Sequence, residues 1–230
     1  MCHPSVHAFV RAELDTSEIA GRRILEVGSR DVNGTVRPFL VSLGARDYVG
    51  VDMVQGPGVD RVCDVADLAR EFAGEPFEVV VTTEMLEHVR DWRTAIHNLK
   101  RVVAPGGLLV ITTRSYGFPY HDFPGDYWRY ELDDMRWIFR DFQILSLVPD
   151  PEHPGIFLKC RKPAEFREAD TSGRELFSVV KAERAGQESV SDEEVSACSR
   201  RLDQLTEIGI VVGGVLWTVD LADAGQRDFR

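Results

Sequence analysis

The stretch Ile24-Leu25-Glu26-Val27-Gly28-Ser29-Arg30-Asp31-Val32-Asn33-Gly34 sets a short apolar run against a glycine and a polar turn. A glycine at the carboxyl end of a strand lets backbone come close to a ligand where the next segment begins. The run Asp47–Val51 that follows reads as a second strand and ends against Asp52, 24 residues after Gly28. A carboxylate there can accept hydrogen bonds from two adjacent ribose hydroxyls. A dinucleotide fingerprint counted from Gly28 needs glycines at 30 and 33, where the chain has Arg30 and Asn33. Those glycines serve to bring backbone up to a pyrophosphate, so a ribose-bearing ligand without phosphates does not require them.

From Arg22 to about Lys162, β-branched runs alternate with amphipathic stretches, as in a parallel sheet with helices on both faces. Expected strands are Arg23–Val27, Asp47–Val51, Arg61–Cys63, Glu78–Thr83 and Leu108–Thr113. Val79-Val80-Val81 and Leu108-Leu109-Val110-Ile111 are continuous apolar runs, which suits central strands buried on both faces. Trp92, Ile96, Leu99, Val102 and Val103 recur at helical spacing over Asp91–Val103, and Pro105-Gly106-Gly107 stops that helix. Glu131–Arg140 reads as another helix. Phe142–Val148 and Gly155–Cys160 then form two more strands, paired antiparallel across the prolines between them. Residues 165–203 carry ten acidic and six basic side chains with few large apolar ones, the texture of a solvated linker rather than more sheet. Helical periodicity returns over Asp192–Ile208, with a capping box between Ser191 and Glu194. Ile210–Leu221 suits a longer helix or a returning strand equally. The expected organisation is a domain over residues 1–163 and a charged linker with a C-terminal helical extension over 164–230.

Within 230 residues, 27 Lys and Arg face 38 Asp and Glu, a net charge of −11. That balance argues against a nucleic-acid partner, which would need clustered basic residues. Cys2, Cys63, Cys160 and Cys198 are scattered, without metal-knuckle spacing, which suits reduced thiols in a cytoplasm. The beginning of the chain lacks the pattern of a secretory signal, and no apolar run is long enough to span a bilayer. A soluble, cytoplasmic protein with no membrane partner is expected, and no metal site.

Four motifs in order carry a family resemblance. They are Glu26-Val27-Gly28-Ser29; Tyr48-Val49-Gly50-Val51-Asp52; Val80 through Val89, with its Leu86-Glu87-His88-Val89 sequel; and Leu99 through Leu109, around the Pro-Gly-Gly turn. Together they resemble the class I S-adenosylmethionine-dependent methyltransferases of the type that modify small molecules. The resemblance covers residues 22–162 and implies a doubly wound, seven-stranded Rossmann-like α/β sheet, mostly parallel with an antiparallel last strand. It implies S-adenosylmethionine as cofactor and S-adenosylhomocysteine as product. Glu26 would orient the cofactor amine, Gly28, Ser29 and Arg30 would line its methionyl part, and Asp52 would hold the ribose. Met53 would pack on the adenine, Asp64 and Val65 would meet its other edge, and Thr83 and Glu84 would face the transferable methyl. Arg30 and Val32 depart from the pattern, since many members keep further glycines there. An anionic lining favours a sulfonium cation.

Asp64 could equally cap the helix that starts at Val65. His88, just past the fourth strand, suits a general base, a pocket wall or a helix-opening residue. The segment Arg114–Tyr130 is rich in aromatic residues, Gly and Pro, and loops at this edge read substrates. Its Tyr116, His121, Asp126, Tyr127 and Arg129 are candidates to enclose a ring-bearing acceptor, with Trp128 as packing. His88, His121 and Glu84 are the candidates for a base. The expected reaction is in-line attack on the sulfonium methyl by an oxygen or nitrogen of a natural product or glycan intermediate, with a homodimer as a possible assembly. No Pro-Pro pair of the base-methylating type occurs. Two rivals are a non-catalytic scaffold on the same fold and an NAD(P)-dependent oxidoreductase, the latter disfavoured by Arg30 and Asn33.

Overall fold

A computed structural model describes residues 3–121 and 125–207, with 201–207 described by backbone alone. The strands are β1 (Arg23–Val27), β2 (Asp47–Asp52), β3 (Arg61–Val62), β4 (Phe77–Thr83), β5 (Val103–Arg114), β6 (Trp128–Arg129), β7 (Gln143–Pro149), β8 (Gly155–Arg161), β9 (Leu176–Ser178) and β10 (Glu183–Ala185). The helices are α1 (Pro4–Glu13), α2 (Thr16–Ile19), α3 (Arg37–Ser42), α4 (Leu68–Glu71), α5 (Trp92–Val102), α6 (Leu132–Ile138) and α7 (Asp192–Glu207).

Seven strands form one sheet in the order β3-β2-β1-β4-β5-β8-β7. All are parallel except β8, which runs antiparallel to both β5 and β7. The order reverses between β1 and β4, so their carboxyl ends flank the crevice where open α/β sheets bind ligands. Alternation along the central strands splits the core in two. Ile24, Val79, Val81, Leu108, Val110 and Phe157 meet Val6, Phe9 and Val10 of α1 and Leu40 of α3. Leu25, Val80, Leu109, Ile111 and Leu158 meet Leu68, Trp92, Ile96 and Leu99 on the other face. Strands buried on both faces need apolar residues at every position, hence the unbroken Val and Leu runs.

Several boundaries differ from the sequence reading. The strand expected from Leu108 begins at Val103, because the chain pairs Phe77 with Val103 before the Pro-Gly-Gly turn and resumes at Val79 with Leu108. Gly107 sits in that irregularity, where a Cβ would lie 2.9 Å from the carbonyl oxygens of both Ala104 and Glu78. The helix expected from Val65 is a 3₁₀ turn over Val65–Asp67 followed by α4.

The largest difference lies in the stretch read as linker. β9 and β10 pair with β6 in a second, antiparallel sheet, and Leu176, Ala185 and Val190 join the main core. Its anchor is electrostatic: fully buried Asp134 in α6 receives Arg174 (Nε–Oδ1 2.7 Å) and the guanidinium of Arg184. Strands of three residues held by buried charge leave no hydrophobic periodicity to read. Helix α7 then starts with the expected capping box, the Ser191 and Glu194 side chains each accepting the other's N–H at 3.2 and 2.8 Å. Ile210–Leu221 lies outside the described residues, among which no helix is long and apolar enough to cross a membrane.

Candidate active site

The carboxyl ends of β1 and β4 flank a small cleft lined by Glu26, Ser29, Arg30, Asn33, Thr35 and Thr83, with Gly28 in its wall. Gly28 is required for two reasons. Its φ of +78° lies in the left-handed region, and a Cβ would meet Met85 Cγ at 2.9 Å. The Gly28 and Ser29 N–H groups both donate to Val51 O, at 2.9 and 3.0 Å, which ties the turn to β2. These two amides are therefore spent within the fold, and the turn meets a ligand through its surface and side chains. Ser29 Oγ is buried in the cleft wall with no hydrogen-bond partner.

Glu26 is 2% exposed. Its carboxylate accepts from Tyr48 Oη at 2.8 Å and sits 3.5 Å from Thr35 Oγ1. Burial pushes its pKa up to about 7, against the opposing pull of the Tyr48 hydrogen bond and the charge of Arg37. At the end of β2, Asp52 is oriented by backbone: its carboxylate accepts from Val54 N at 3.0 Å and Arg30 N at 3.3 Å. Met53, Val54 and Val62 stand exposed around it as an apolar patch. Asp64 caps the following turn through Ala66 N at 2.8 Å, the second of the two roles read from the sequence. Val65 is buried beside it. A buried carboxyl, an orphaned hydroxyl, a second carboxylate and exposed apolar side chains thus gather at the carboxyl ends of β1 and β2. That donor set matches an ammonium, a ribose diol and an adenine.

Beyond Thr83 the chain turns sharply. Glu84 adopts φ +53°, uncommon for a residue with a side chain, and its N–H donates to Thr112 O at 2.9 Å. The turn sends its carboxylate into the protein, against the guanidinium of Arg114, which also reaches Asp150 Oδ2 at 3.3 Å. All three are buried. Burial and the neighbouring Glu87 charge push the Glu84 pKa up to about 8, against the pull of Arg114.

The 3₁₀ turn Leu86–His88 places Glu87 and His88 against the loop after β5. Glu87 is fully buried, and its Oε2 accepts from Thr113 Oγ1 at 2.9 Å. His88 Nδ1 lies 2.6 Å from the Gly125 carbonyl, an acceptor only, so this nitrogen carries the proton. His121 packs edge-on to His88 with ring centroids 4.8 Å apart, and its Nδ1 lies 3.1 Å from Asp126 Oδ2. Both Nε2 atoms point at Glu87 Oε1, from 3.9 Å for His88 and 3.8 Å for His121. Burial opposes a charged His121, but the Asp126 hydrogen bond and the nearby Glu87 carboxylate outweigh it and lift its pKa to about 9. Burial likewise opposes ionised Glu87, yet His121 and His88 hold its carboxyl well below the usual carboxylate range.

The other loop candidates divide. Asp126 and Arg129 are buried against each other, and Arg129 also donates to the carbonyls of Phe118 and Pro119. They shape the loop, and Asp126 orients His121. Tyr127 donates to Asp192 Oδ1 at 2.8 Å, fastening the start of α7 to this edge. Tyr116 is 66% exposed, its ring edge-on to Phe177 of β9 at 4.7 Å. Trp128 is buried, with its indole N–H on Arg90 O at 3.0 Å.

Glu87 and Arg114 were not singled out from the sequence. The available signal was charge in the wrong place: Arg114 ends a strand otherwise free of charge, and Glu87 stands between Leu86 and His88 where its neighbours drew the attention. Phe118 was likewise passed over; it is the hub of this edge, under Arg114 at 4.2 Å and within ring contact of His121, His3 and His153. His3 arrives from the start of α1, which no local pattern foretells.

Comparison with known proteins adds to this geometry. A ubiquinone biosynthesis O-methyltransferase of Pseudomonas syringae pv. tomato is 32% identical over 113 residues, covering 43% of this chain and 47% of that protein. The chain thus spans about half the length of that curated relative. Among solved structures, the N-methyltransferase NodS of Bradyrhizobium japonicum WM9 superposes with a TM-score of 0.52 at 17% identity, covering 68% of this chain and 94% of that one. The [4+2]-cyclase SpnF superposes with a TM-score of 0.53 at 17% identity over 70% of this chain and 81% of that one. Likeness at that level establishes the fold, and a cyclase among the matches shows why the fold alone does not assign the chemistry. The family model described as a methyltransferase domain matches residues 6–149, from the first turn of α1 through β7, and the chain belongs to that family.

Proposed function

We propose that the protein transfers a methyl group from S-adenosylmethionine to a small-molecule acceptor, with S-adenosylhomocysteine as the second product. The observation that carries this reading is the donor set at the carboxyl ends of β1 and β2: the Glu26 carboxyl, the unpartnered Ser29 Oγ and the backbone-oriented Asp52. At the neighbouring sheet edge the loop after β5 brings Phe118 and His121 against His88. Glu26 would receive the cofactor's ammonium, Asp52 its ribose hydroxyls, and the Met53 patch its adenine, while Gly28 and Ser29 line the methionyl part. The bound cofactor supplies an electrophilic methyl on a sulfonium. The protein's share is proximity, in-line alignment and exclusion of water.

At that edge, Phe118 and the exposed Tyr116 offer apolar surface for a ring, and the His88–Glu87–His121 cluster offers the polar end. An acceptor hydroxyl placed there loses its proton toward the cluster as it attacks the methyl carbon. The relatives named as ubiquinone biosynthesis O-methyltransferases favour oxygen as the nucleophile. The test is transfer of labelled methyl from S-adenosylmethionine to a panel of phenols, catechols, amines and carboxylic acids. Transfer to a hydroxyl acceptor supports the reading, and binding of S-adenosylhomocysteine without transfer to any acceptor class would favour the scaffold alternative.

A further inference from the structure

We propose that Glu87, His88 and His121 form a binding site for one divalent transition-metal cation where the loop after β5 meets the turn Leu86–His88. One ligand atom from each lies within 4.8 Å of the others, although the residues come from a 3₁₀ turn and from a loop 33 positions later. That sequence distance hides the cluster from spacing rules, and it departs from the expectation of no metal.

The way these side chains are held points to a cation. His88 Nδ1–H is taken by the Gly125 carbonyl and His121 Nδ1 faces Asp126, whose carboxylate is fixed in turn by Arg129. Both Nε2 atoms thus face one oxygen, Glu87 Oε1, and a cation bound among them would take the place of any proton on Nε2. That oxygen is buried and has no hydrogen-bond partner, while Oε2 is satisfied by Thr113. At 3.8 and 3.9 Å both Nε2 atoms stand too far from that oxygen for direct hydrogen bonds, a spacing that leaves room for one ion among the three atoms. Imidazoles whose other nitrogen donates to a carbonyl and to a carboxylate are also the usual outer shell of a metal site.

Two imidazoles and one carboxylate suit a borderline first-row ion such as Zn²⁺, Mn²⁺ or Co²⁺ better than Ca²⁺ or Mg²⁺, which prefer all-oxygen shells. Three protein ligands leave positions open for an acceptor oxygen. Both rings keep some solvent exposure, which provides a path of entry. The cation would lower the pKa of a bound hydroxyl and fix its direction. This role rests on the methyltransferase reading, whereas metal binding itself does not.

The test uses the full chain, stripped with chelator and titrated with Co²⁺ by visible absorption and with Zn²⁺ by calorimetry. S-adenosylhomocysteine binding is measured in parallel on the same samples. One ion per chain is expected, and His88→Ala, His121→Ala and Glu87→Gln should each weaken it by about tenfold or more. His97→Ala, an exposed histidine paired with Glu168, should leave it unchanged. Retained S-adenosylhomocysteine binding in the triad variants shows that they are folded. Absence of saturable binding, or binding that the triad variants do not weaken, overturns the site. Metal binding without S-adenosylhomocysteine binding would instead keep the site and defeat the methyltransferase reading.

Discussion

Glu26 couples cofactor binding to pH in a way that the structure makes quantitative. Its carboxyl is lifted by burial from the ordinary range near 4.5 to about 7, so near neutrality the apo protein holds it only partly ionised. A ligand ammonium requires the ionised form. From about pH 6 to about pH 8 the ionised fraction climbs from about a tenth to about nine-tenths, so S-adenosylhomocysteine should bind about tenfold more tightly at the upper pH. Binding near pH 7 should release a proton, read by calorimetry in two buffers of different ionisation enthalpy. The Tyr48→Phe variant removes the 2.8 Å hydrogen bond that favours the ionised form, so its inflection should move to higher pH. Glu26→Gln should bind like the wild type at about pH 6, more weakly at about pH 8, and without pH dependence between them. The same shift has a stability sign. The folded state binds more protons than the unfolded chain between about 4.5 and 7, so stability from this group falls as pH rises through that window. Above pH 7, Glu26→Gln should be the more stable protein, by up to about 3 kcal/mol in urea melts. An affinity flat from pH 6 to 8 in the wild type would refute the reasoning.

Gly28→Ala forces a side chain into positive φ and against Met85, and should cost about 1–3 kcal/mol in urea unfolding together with a measurable loss of S-adenosylhomocysteine affinity. Lys100, fully buried, binds Asp141 and the Ile138 carbonyl at the end of α6. Lys100→Met strands that carboxylate and should destabilise by about 3–5 kcal/mol, whereas adding Asp141→Leu should recover part of the loss in a double-mutant cycle. Asp134→Ala removes the anchor shared by Arg174 and Arg184. Because those arginines are partly exposed, a cost of about 2 kcal/mol is expected. Limited proteolysis should then cut first within residues 174–185.

The main sheet was legible because its strands are apolar on both faces, and that demand is written residue by residue in Val79–Val81 and Leu108–Ile111. The cofactor end was legible for a related reason: Gly28 and Asp52 sit where a strand must stop, so their spacing survives in the linear order. The acceptor end was not, since its geometry comes from contacts between distant segments. Glu84 reads as a free base at a strand tip, yet a turn with positive φ delivers it to Arg114. Asp126 and Arg129 read as ligand contacts in an aromatic loop, and the fold pairs them with each other in the interior, beside His121. The second sheet escaped notice because Asp134, Arg174 and Arg184 hold it by charge, and charged residues far apart in sequence carry no period.

The central claim is that the carboxyl ends of β1 and β2 hold S-adenosylmethionine, and the most direct measurement is ligand-induced thermal stabilisation of the wild type and of Asp52→Ala. At a ligand concentration about a hundred times Kd, stabilisation of about 2.7 kcal/mol corresponds to a rise of several degrees in Tm. The wild type should show that rise with S-adenosylmethionine and with S-adenosylhomocysteine, and not with NAD or NADP, while Asp52→Ala, still folded, should show little of it. A rise with a nicotinamide nucleotide alone, or an equal rise in Asp52→Ala, would contradict the account.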